Sequence, residues 1–348
     1  MKQWYSFSMW QEELAAKPAS GWVVTVGNFD GVHRGHQKIL ERVKVISKEQ
    51  GWPALVITFQ EHTSLVLRAQ APPLLMSVEE RCRYFAACGI DATLLLEFTP
   101  ELAKMPAGSF LDQLRALGMK ALVVGHDFTF GAGGTGDTHL VLTYMRRHGL
   151  YGEVIPPVKY RGKIVCSSQI RALLRAGKLG EANGMLNRPF SLAGYVQKGQ
   201  GQGRKLGFPT ANLTVPPDRL LPKFGAYVVR VLLDGAEYYG LANVGCKPTF
   251  NYGKPVVEVF IAQFAGEIYG EYMQVEFLKF LREEKKFASP EALQAQLLAD
   301  KEQGEAIWRR WQAKARPDQV SNGGPFYPLV TGVSRKGRPF QGGKIGPL

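Results

Sequence analysis

Two domains of different class are predicted, an α/β domain on a parallel sheet followed by an all-β domain, an antiparallel barrel closed by a helix. Three observations predict them. Short β-rich runs alternate with longer helical stretches from Trp22 to about Ile155, which is the pattern of a parallel sheet covered by helices. After Arg188-Pro189 the pattern changes to closely spaced strands around an Asp234-Gly235 turn, a hairpin signal. The 348 residues, 45% of them hydrophobic, are long for one core and comfortable for two.

In the first domain, strands are expected at 22–26, 54–59, 93–98 and 121–125, with helices at 37–49 and 78–88. In the second, strands at 225–233 and 238–244 flank the Asp-Gly turn, and further strands follow at 256–264 and 273–280. A helix then starts with Ser289 as cap, Pro290 at its first position and Glu291 in its first turn. From Pro317 the chain is rich in Gly and Pro and carries Arg335, Lys336, Arg338 and Lys344 against Asp318, which predicts a disordered tail. The expected domains are therefore 1–186 and 187–316, with a tail at 317–348.

The formal charge of +13 suits a handler of polyphosphates, and equally an RNA surface or a loosely anchored peripheral protein, so charge alone decides nothing. Cys82, Cys88, Cys166 and Cys246 show no CxxC spacing, which indicates neither a zinc site nor a disulfide framework. Residues 1–22 include Glu12, Glu13 and Lys17 and lack a long apolar run. The expectation is a soluble, cytoplasmic protein without a membrane span; oligomeric state is open.

Two blocks carry the chemistry. In the first, Gly27-Asn28-Phe29-Asp30-Gly31-Val32-His33-Arg34-Gly35-His36, the two histidines lie three residues apart at a helix start and project from one face. The helix N-terminus adds free N–H groups and partial positive charge, and the glycines let backbone approach an anion. Such a site can stabilise charge gathering on a phosphate under attack. Taken alone, an HxGH pair reads more simply as two surface histidines near a helix cap. The block resembles the HxGH nucleotidyltransferase superfamily, in the GxFDGxHxGH form of bacterial bifunctional riboflavin kinase/FAD synthetases. The resemblance implies a Rossmann-like first domain, catalytic His33 and His36, and ATP contacts from Gly27, Asn28, Phe29, Asp30 and Gly31. Gly125 to Gly131 resembles the same family's G-x-(D/N)-(F/Y)-x-F-G loop, which implies flavin-side contacts from Asp127 and Phe128. Cys166-Ser167-Ser168-Gln169-Ile170-Arg171 resembles its S-(S/T)-(S/T)-x-I-R signature, implying that Ser167, Ser168 and Arg171 hold ATP phosphates. By itself this stretch also reads as a capped amphipathic helix. Two departures stand out: Cys166 replaces the usual serine, and residues 59–63 lack both prolines of F-x-P-H-P around His62.

The second block runs from Gly203 through Arg204 and Gly207 to Phe208-Pro209-Thr210-Ala211-Asn212. On an extended segment Thr210 and Asn212 face one side, so both oxygens can reach one cation; a polar turn is the alternative. The block resembles the GxGRxLGFPTANL sequence of riboflavin kinase. That resemblance implies a riboflavin-kinase barrel, phosphate contacts from Gly203, Arg204 and Gly207, and Mg2+ on Thr210 and Asn212. Further agreement lies at Phe224-Gly225-Ala226-Tyr227, Asn243-Val244-Gly245, Lys247-Pro248-Thr249-Phe250 and Leu281 to Phe287. Glu258 has the chemistry of the base that accepts the proton of a primary hydroxyl, against an outward, solvated strand residue. Arg282 and Glu284 are flavin-side contacts by resemblance only, and otherwise an exposed charged run. Phe260 stands where relatives often have histidine, and Gln263 where they often have aspartate.

The resemblance as a whole implies phosphorylation of riboflavin to FMN by ATP, then adenylyl transfer from a second ATP to give FAD and pyrophosphate, with Mg2+ needed for both. Two rivals remain at this level: a nucleotidyltransferase for another phosphorylated alcohol with the barrel as a binding module, and an RNA-associated protein using the basic charge.

Overall fold

The computed structural model describes residues 1–16, 21–199, 203, 207–246 and 255–314. Arg204, the 247–250 segment and the 317–348 tail lie outside these. The chain divides into two compact units. The first takes in Met1–Phe190 together with Pro216–Lys223, and the second includes Ser191–Val215 and Phe224–Arg316.

The first unit holds a six-stranded parallel sheet in the order β1-β4-β3-β2-β5-β6. Its strands are β1 (Lys2–Trp4), β2 (Trp22–Val26), β3 (Ala54–Phe59), β4 (Ala92–Leu96), β5 (Met119–Gly125) and β6 (Tyr151–Ile155). Every residue of β2, β3 and β4 is buried, as befits parallel strands covered on both faces. The cover comes from α1 (Phe7–Ala16), α2 (Arg34–Gln50), α4 (Val78–Ala87), α6 (Ala107–Ala116) and α7 (Thr138–Arg147), with short α3 (Ser64–Arg68) and α5 (Pro100–Ala103) between them. One core contains Val24, Leu55, Ile57 and Leu122; the opposite face contains Val23, Leu40, Val56 and Val123. From β2 the chain builds outward through β3 and β4, then returns to lay β5 on the other side of β2. This reversal opens a crevice beyond the carboxyl ends of β2 and β5, where ligands bind in open α/β sheets. A two-stranded hairpin, β7 (Lys159–Tyr160) and β8 (Lys163–Ile164), leads to α8 (Ser167–Arg175) and α9 (Leu179–Leu186).

The second unit is a closed barrel of β9 (Phe190–Gln197), β10 (Thr210–Leu213), β11 (Gly225–Leu233), β12 (Ala236–Cys246), β13 (Pro255–Ile261) and β14 (Tyr272–Glu283), in the order β10-β13-β12-β11-β14-β9. The β11–β12 hairpin turns at Asp234-Gly235, both at positive φ (47° and 78°), the conformation the Asp-Gly pair favours. Alternation is clean on β13, where Val257, Val259 and Ile261 point inward. Helix α10 (Pro290–Lys314) covers part of the outer face, with Ile307 and Trp308 packed on Val228, Tyr239 and Leu241. The Ser289 hydroxyl accepts the Ala292 N–H at 3.2 Å, so the cap forms where the Ser-Pro-Glu sequence places it.

Candidate active sites

The first candidate site begins at the end of β2. Here Phe29 (φ 50°), Gly31 (φ 79°) and Val32 (φ 32°) all take positive φ. A β-branched residue there is a backbone outlier, kept only where the surroundings over-determine it. They do so through buried charge. Asp30, 3% exposed, accepts from the Leu75 N–H at 2.9 Å and the Met76 N–H at 3.2 Å, and pairs with the Arg171 guanidinium. Arg188 donates to the Gly31 carbonyl at 2.7 Å and the Val32 carbonyl at 3.1 Å. Arg81 donates to the Asn28 carbonyl and, at 2.8 Å, to that of Phe59.

This loop delivers His33 as the N-cap of α2, its Nδ1 accepting the His36 N–H. One turn on, His36 stacks its ring on that of His33, centroids 3.7 Å apart and planes 14° apart, against Phe29 on its other side. Burial, with the nearby Arg188 charge, pulls the His33 pKa down to about 3, and burial with the neighbouring His33 holds His36 well below the ordinary imidazole range. Both rings are neutral at physiological pH. Among the described residues the buried His36 Nδ1 has no hydrogen-bond partner.

The histidines open on a cavity of about 750 Å³. On one side it is floored by Gly27, Asn28, Phe29 and Asp30, and by Cys166, Ser167 and Ser168 at the start of α8. On the other it has an aromatic wall of Phe59, Phe98, Phe110, Phe128 and Phe130, the last two stacked at 5.1 Å. Ser167 donates its hydroxyl to the Asp30 carbonyl at 2.9 Å, and the Ser168 hydroxyl meets Cys166 Sγ at 3.1 Å. Cys166 is the N-cap of α8 and makes no side-chain cap bond. Asp127 and Phe128 both line the cavity, Asp127 from an exposed position. Arg171, in contrast, lies behind the wall: it is 7% exposed and its Nε donates to the Pro73 carbonyl at 2.8 Å. A carboxylate as buried as Asp30 requires such a partner. His62 lines the cavity half-buried, with burial lowering its pKa, and its Nδ1 accepts the Ser64 N–H at 3.2 Å.

The second candidate site is on the outer face of the barrel. Antiparallel pairing sets Asn212 opposite Glu258 and Thr210 opposite Phe260, while Asn243 on β12 also lies opposite Glu258. Directly opposed residues share a face, so Thr210, Asn212 and Glu258 are brought together, each half-buried, while Ala211 and Leu213 point into the core. The backbone at Gly199 passes directly over the Asn212 amide, where a Cβ would overlap it, and the Gly203 carbonyl accepts the Phe208 N–H at 2.9 Å. Phe208 in turn meets Phe260, centroids 5.1 Å apart. Gly207 takes φ 79°, which its glycine identity permits. Arg282 is directed at Asp300 of α10, with Nη2 to Oδ2 at 2.7 Å and Nε to both oxygens, and Asp300 is 3% exposed. Glu284 is exposed, its carboxylate against Gly245. Among the described residues no cluster of three or more His, Cys, Asp or Glu side chains forms a metal cage. The neutral oxygens of Thr210 and Asn212 on one face fit a magnesium ion that keeps mostly water and phosphate ligands.

A family model for FAD synthetase matches residues 15–169, and one for riboflavin kinase matches residues 186–308. The chain is 38% identical to the bifunctional riboflavin kinase/FMN adenylyltransferase of Pseudomonas fluorescens, across 80% of this chain and 91% of that one. It is 36% identical to the protein of that description from Escherichia coli K12 (82% and 93%) and 33% identical to that from Bacillus subtilis (81% and 90%). The chain belongs to the bifunctional riboflavin kinase/FMN adenylyltransferase family. A crystal structure from Streptococcus pneumoniae, described as a macrolide-efflux protein, superposes with a TM-score of 0.76 at 31% identity, covering 82% of this chain and 94% of that one.

Within this family member, sequence reading missed the groups that hold the first loop. Arg81 and Arg188 belong to no motif, and the loop carbonyls they hold, those of Asn28 and of Gly31 and Val32, lie far along the chain from them. The signal available was Glu80-Arg81 interrupting the apolar face of α4, since two charges beside Cys82 and Phe85 must find partners. The aromatic wall left no local signal because Phe59, Phe98, Phe110 and Phe130 come from four separate segments.

Proposed function

We infer that this chain makes FMN from riboflavin at the barrel and FAD from FMN at the α/β unit, using ATP in both steps. The observation that carries the adenylyl-transfer half is the stacked, neutral His33–His36 pair facing a cavity with one polar and one aromatic end. The polar end suits a triphosphate and the aromatic end a flat ring system. Neutral imidazoles donate hydrogen bonds to phosphate oxygens, and they do so with the free N–H groups of two converging helix starts, α2 and α8. Charge that builds on the α-phosphate and the departing pyrophosphate then meets donors already in place. Ser167 and Ser168 act beside them, with the Asp30–Arg171 pair fixing the loop from behind, and Asp127 and Phe128 contact the flavin side.

At the barrel, Glu258 accepts the proton of the ribityl hydroxyl as it attacks the γ-phosphate, and Thr210 and Asn212 hold magnesium, which would neutralise phosphate charge there. Gly203, Arg204 and Gly207 provide the phosphate loop, and the Arg282–Asp300 pair with Glu284 borders the flavin. The protein is cytoplasmic on this reading, and its partners are small molecules rather than nucleic acid; among the described residues no helix is long and apolar enough to cross a membrane.

The test supplies riboflavin, ATP and magnesium and separates the products. His36→Ala makes FMN and no FAD, while Glu258→Ala makes FAD only from supplied FMN. Thr210→Val raises the magnesium concentration needed for FMN formation, by about 10–100-fold for one lost charge-assisted contact. Loss of both steps in either folded single-site variant refutes the division of labour.

A further inference from the structure

The Pro216–Lys223 segment follows barrel strand β10 and precedes β11 in sequence, inside the stretch matched by the riboflavin kinase model, yet it is part of the α/β unit. It is bound there by its backbone. The Leu74 N–H donates to the Asp218 carbonyl at 2.7 Å, the Leu220 N–H donates back to the Leu74 carbonyl at 2.8 Å, and the Lys223 N–H reaches the Leu174 carbonyl of α8 at 2.9 Å. Between these ties sits Arg219, 6% exposed. Its guanidinium pairs with Glu80 and donates to the Leu75 carbonyl at 3.3 Å, and Glu80 Oε2 also accepts the Ser77 N–H at 2.6 Å.

The segment so gripped is the one whose amides fix the catalytic loop. Leu75 and Met76 hold Asp30 through their N–H groups. Asp30 in turn holds Arg171 through its carboxylate and Ser167 through its carbonyl. A continuous chain of hydrogen bonds thus runs from Arg219, through residues 74–76, to Asp30 and Ser167 in the cavity lining.

We propose that Arg219 is a positioning residue for adenylyl transfer, supplied by a segment encoded within the kinase half of the sequence. The inference rests on the assignment of adenylyl transfer to the His33–His36 cavity. Arg219 reaches no substrate; it fixes the 74–76 segment, which fixes Asp30, which sets the strained loop presenting the histidines. Misplacement of a reacting group by about 1 Å can cost about 100-fold in rate, so a loosened brace is felt in catalysis before it is felt in folding.

The test is made in the full-length chain. Arg219→Met combined with Glu80→Met removes both buried charges and leaves neither uncompensated. Arg219→Lys keeps the charge opposite Glu80 and loses the fork that also reaches the Leu75 carbonyl. Each is measured for Tm, riboflavin phosphorylation, and kcat and KM for FMN adenylylation. The expected result is an unchanged phosphorylation rate in both variants. FMN adenylylation falls at least about tenfold in kcat/KM in the double variant, with ATP KM raised, and part of the loss is recovered in the lysine variant. Full adenylylation in the double variant overturns the proposal, as does a loss of both activities in step with Tm in both variants. Absence of FAD from the wild-type chain removes the underlying assignment instead, and this proposal with it.

Discussion

At the scale of single residues, the first site is defined by two imidazoles kept uncharged in a protein of formal charge +13. Burial does most of this and the nearby Arg188 and Arg81 add to it. A stability consequence follows for His33. Its unfolded-state pKa is the ordinary 6.5 and its folded value about 3, so below pH 6.5 the unfolded chain binds the proton that the folded chain refuses. The stabilising contribution is whole above pH 6.5 and is lost progressively as pH falls toward 3. Between pH 6.5 and 5 the wild type therefore loses about 2 kcal/mol more than His33→Gln, which lacks the titrating ring. Urea melts of both chains at the two pH values measure this, and parallel losses would show that His33 titrates normally in the fold. The two histidines were legible in the sequence because three-residue spacing at a helix start leaves them one possible face. Their neutrality was not, because it depends on Arg188 and on burial that only the assembled fold creates.

At the scale of elements, strands whose apolar runs are continuous were readable to within a residue or two: β2 and β3 fall where expected, and β4 begins one residue earlier. Strand β1 and helix α1 left weaker traces. Three residues carry no measurable period, and β1 exists because Trp4 stacks on Trp10 and meets Trp22 edge-on at 5.6 Å. Helix α8 was expected from its Ser-Ser start, and the structure adds a defect in it. Its N-cap is Cys166, whose sulfur turns to the Ser168 hydroxyl and caps nothing. A hydroxyl accepts an N2 or N3 amide far better than a thiol does, so Cys166→Ser raises stability by about 1 kcal/mol, roughly 2–4 °C in the melting temperature of a domain of this size. The same hydroxyl joins the phosphate end of the cavity, where KM for ATP in adenylyl transfer falls. Calorimetry reads the first effect and steady-state kinetics the second; an unchanged Tm would mean that water already caps the helix as well as serine would.

At the scale of the whole molecule, each candidate site is contained within one unit. Every residue lining the large cavity belongs to the α/β unit, and Thr210, Asn212 and Glu258 all belong to the barrel. Sequence pattern announced both folds, because the switch from helix-alternating to closely spaced strands is a property of local runs. The excursion of Pro216–Lys223 into the first unit was invisible to it, since only tertiary pairing with Leu74 reveals it. Containment has a consequence for how FMN travels. If neither site needs the other's residues for chemistry, FMN released by one chain can be used by a different chain. A mixture of His36→Ala and Glu258→Ala chains, each unable alone to convert riboflavin to FAD, should then restore FAD formation. The restored flux should show a lag while free FMN accumulates toward the KM of the adenylyl-transfer site, and an added FMN-binding apoprotein should lengthen that lag by trapping the intermediate. Both signatures require FMN to pass through solution. A mixture that makes FMN but no FAD, while the Glu258→Ala chain alone still converts supplied FMN, would mean that FMN stays on the chain that made it, and the two pockets would have to be treated as one device.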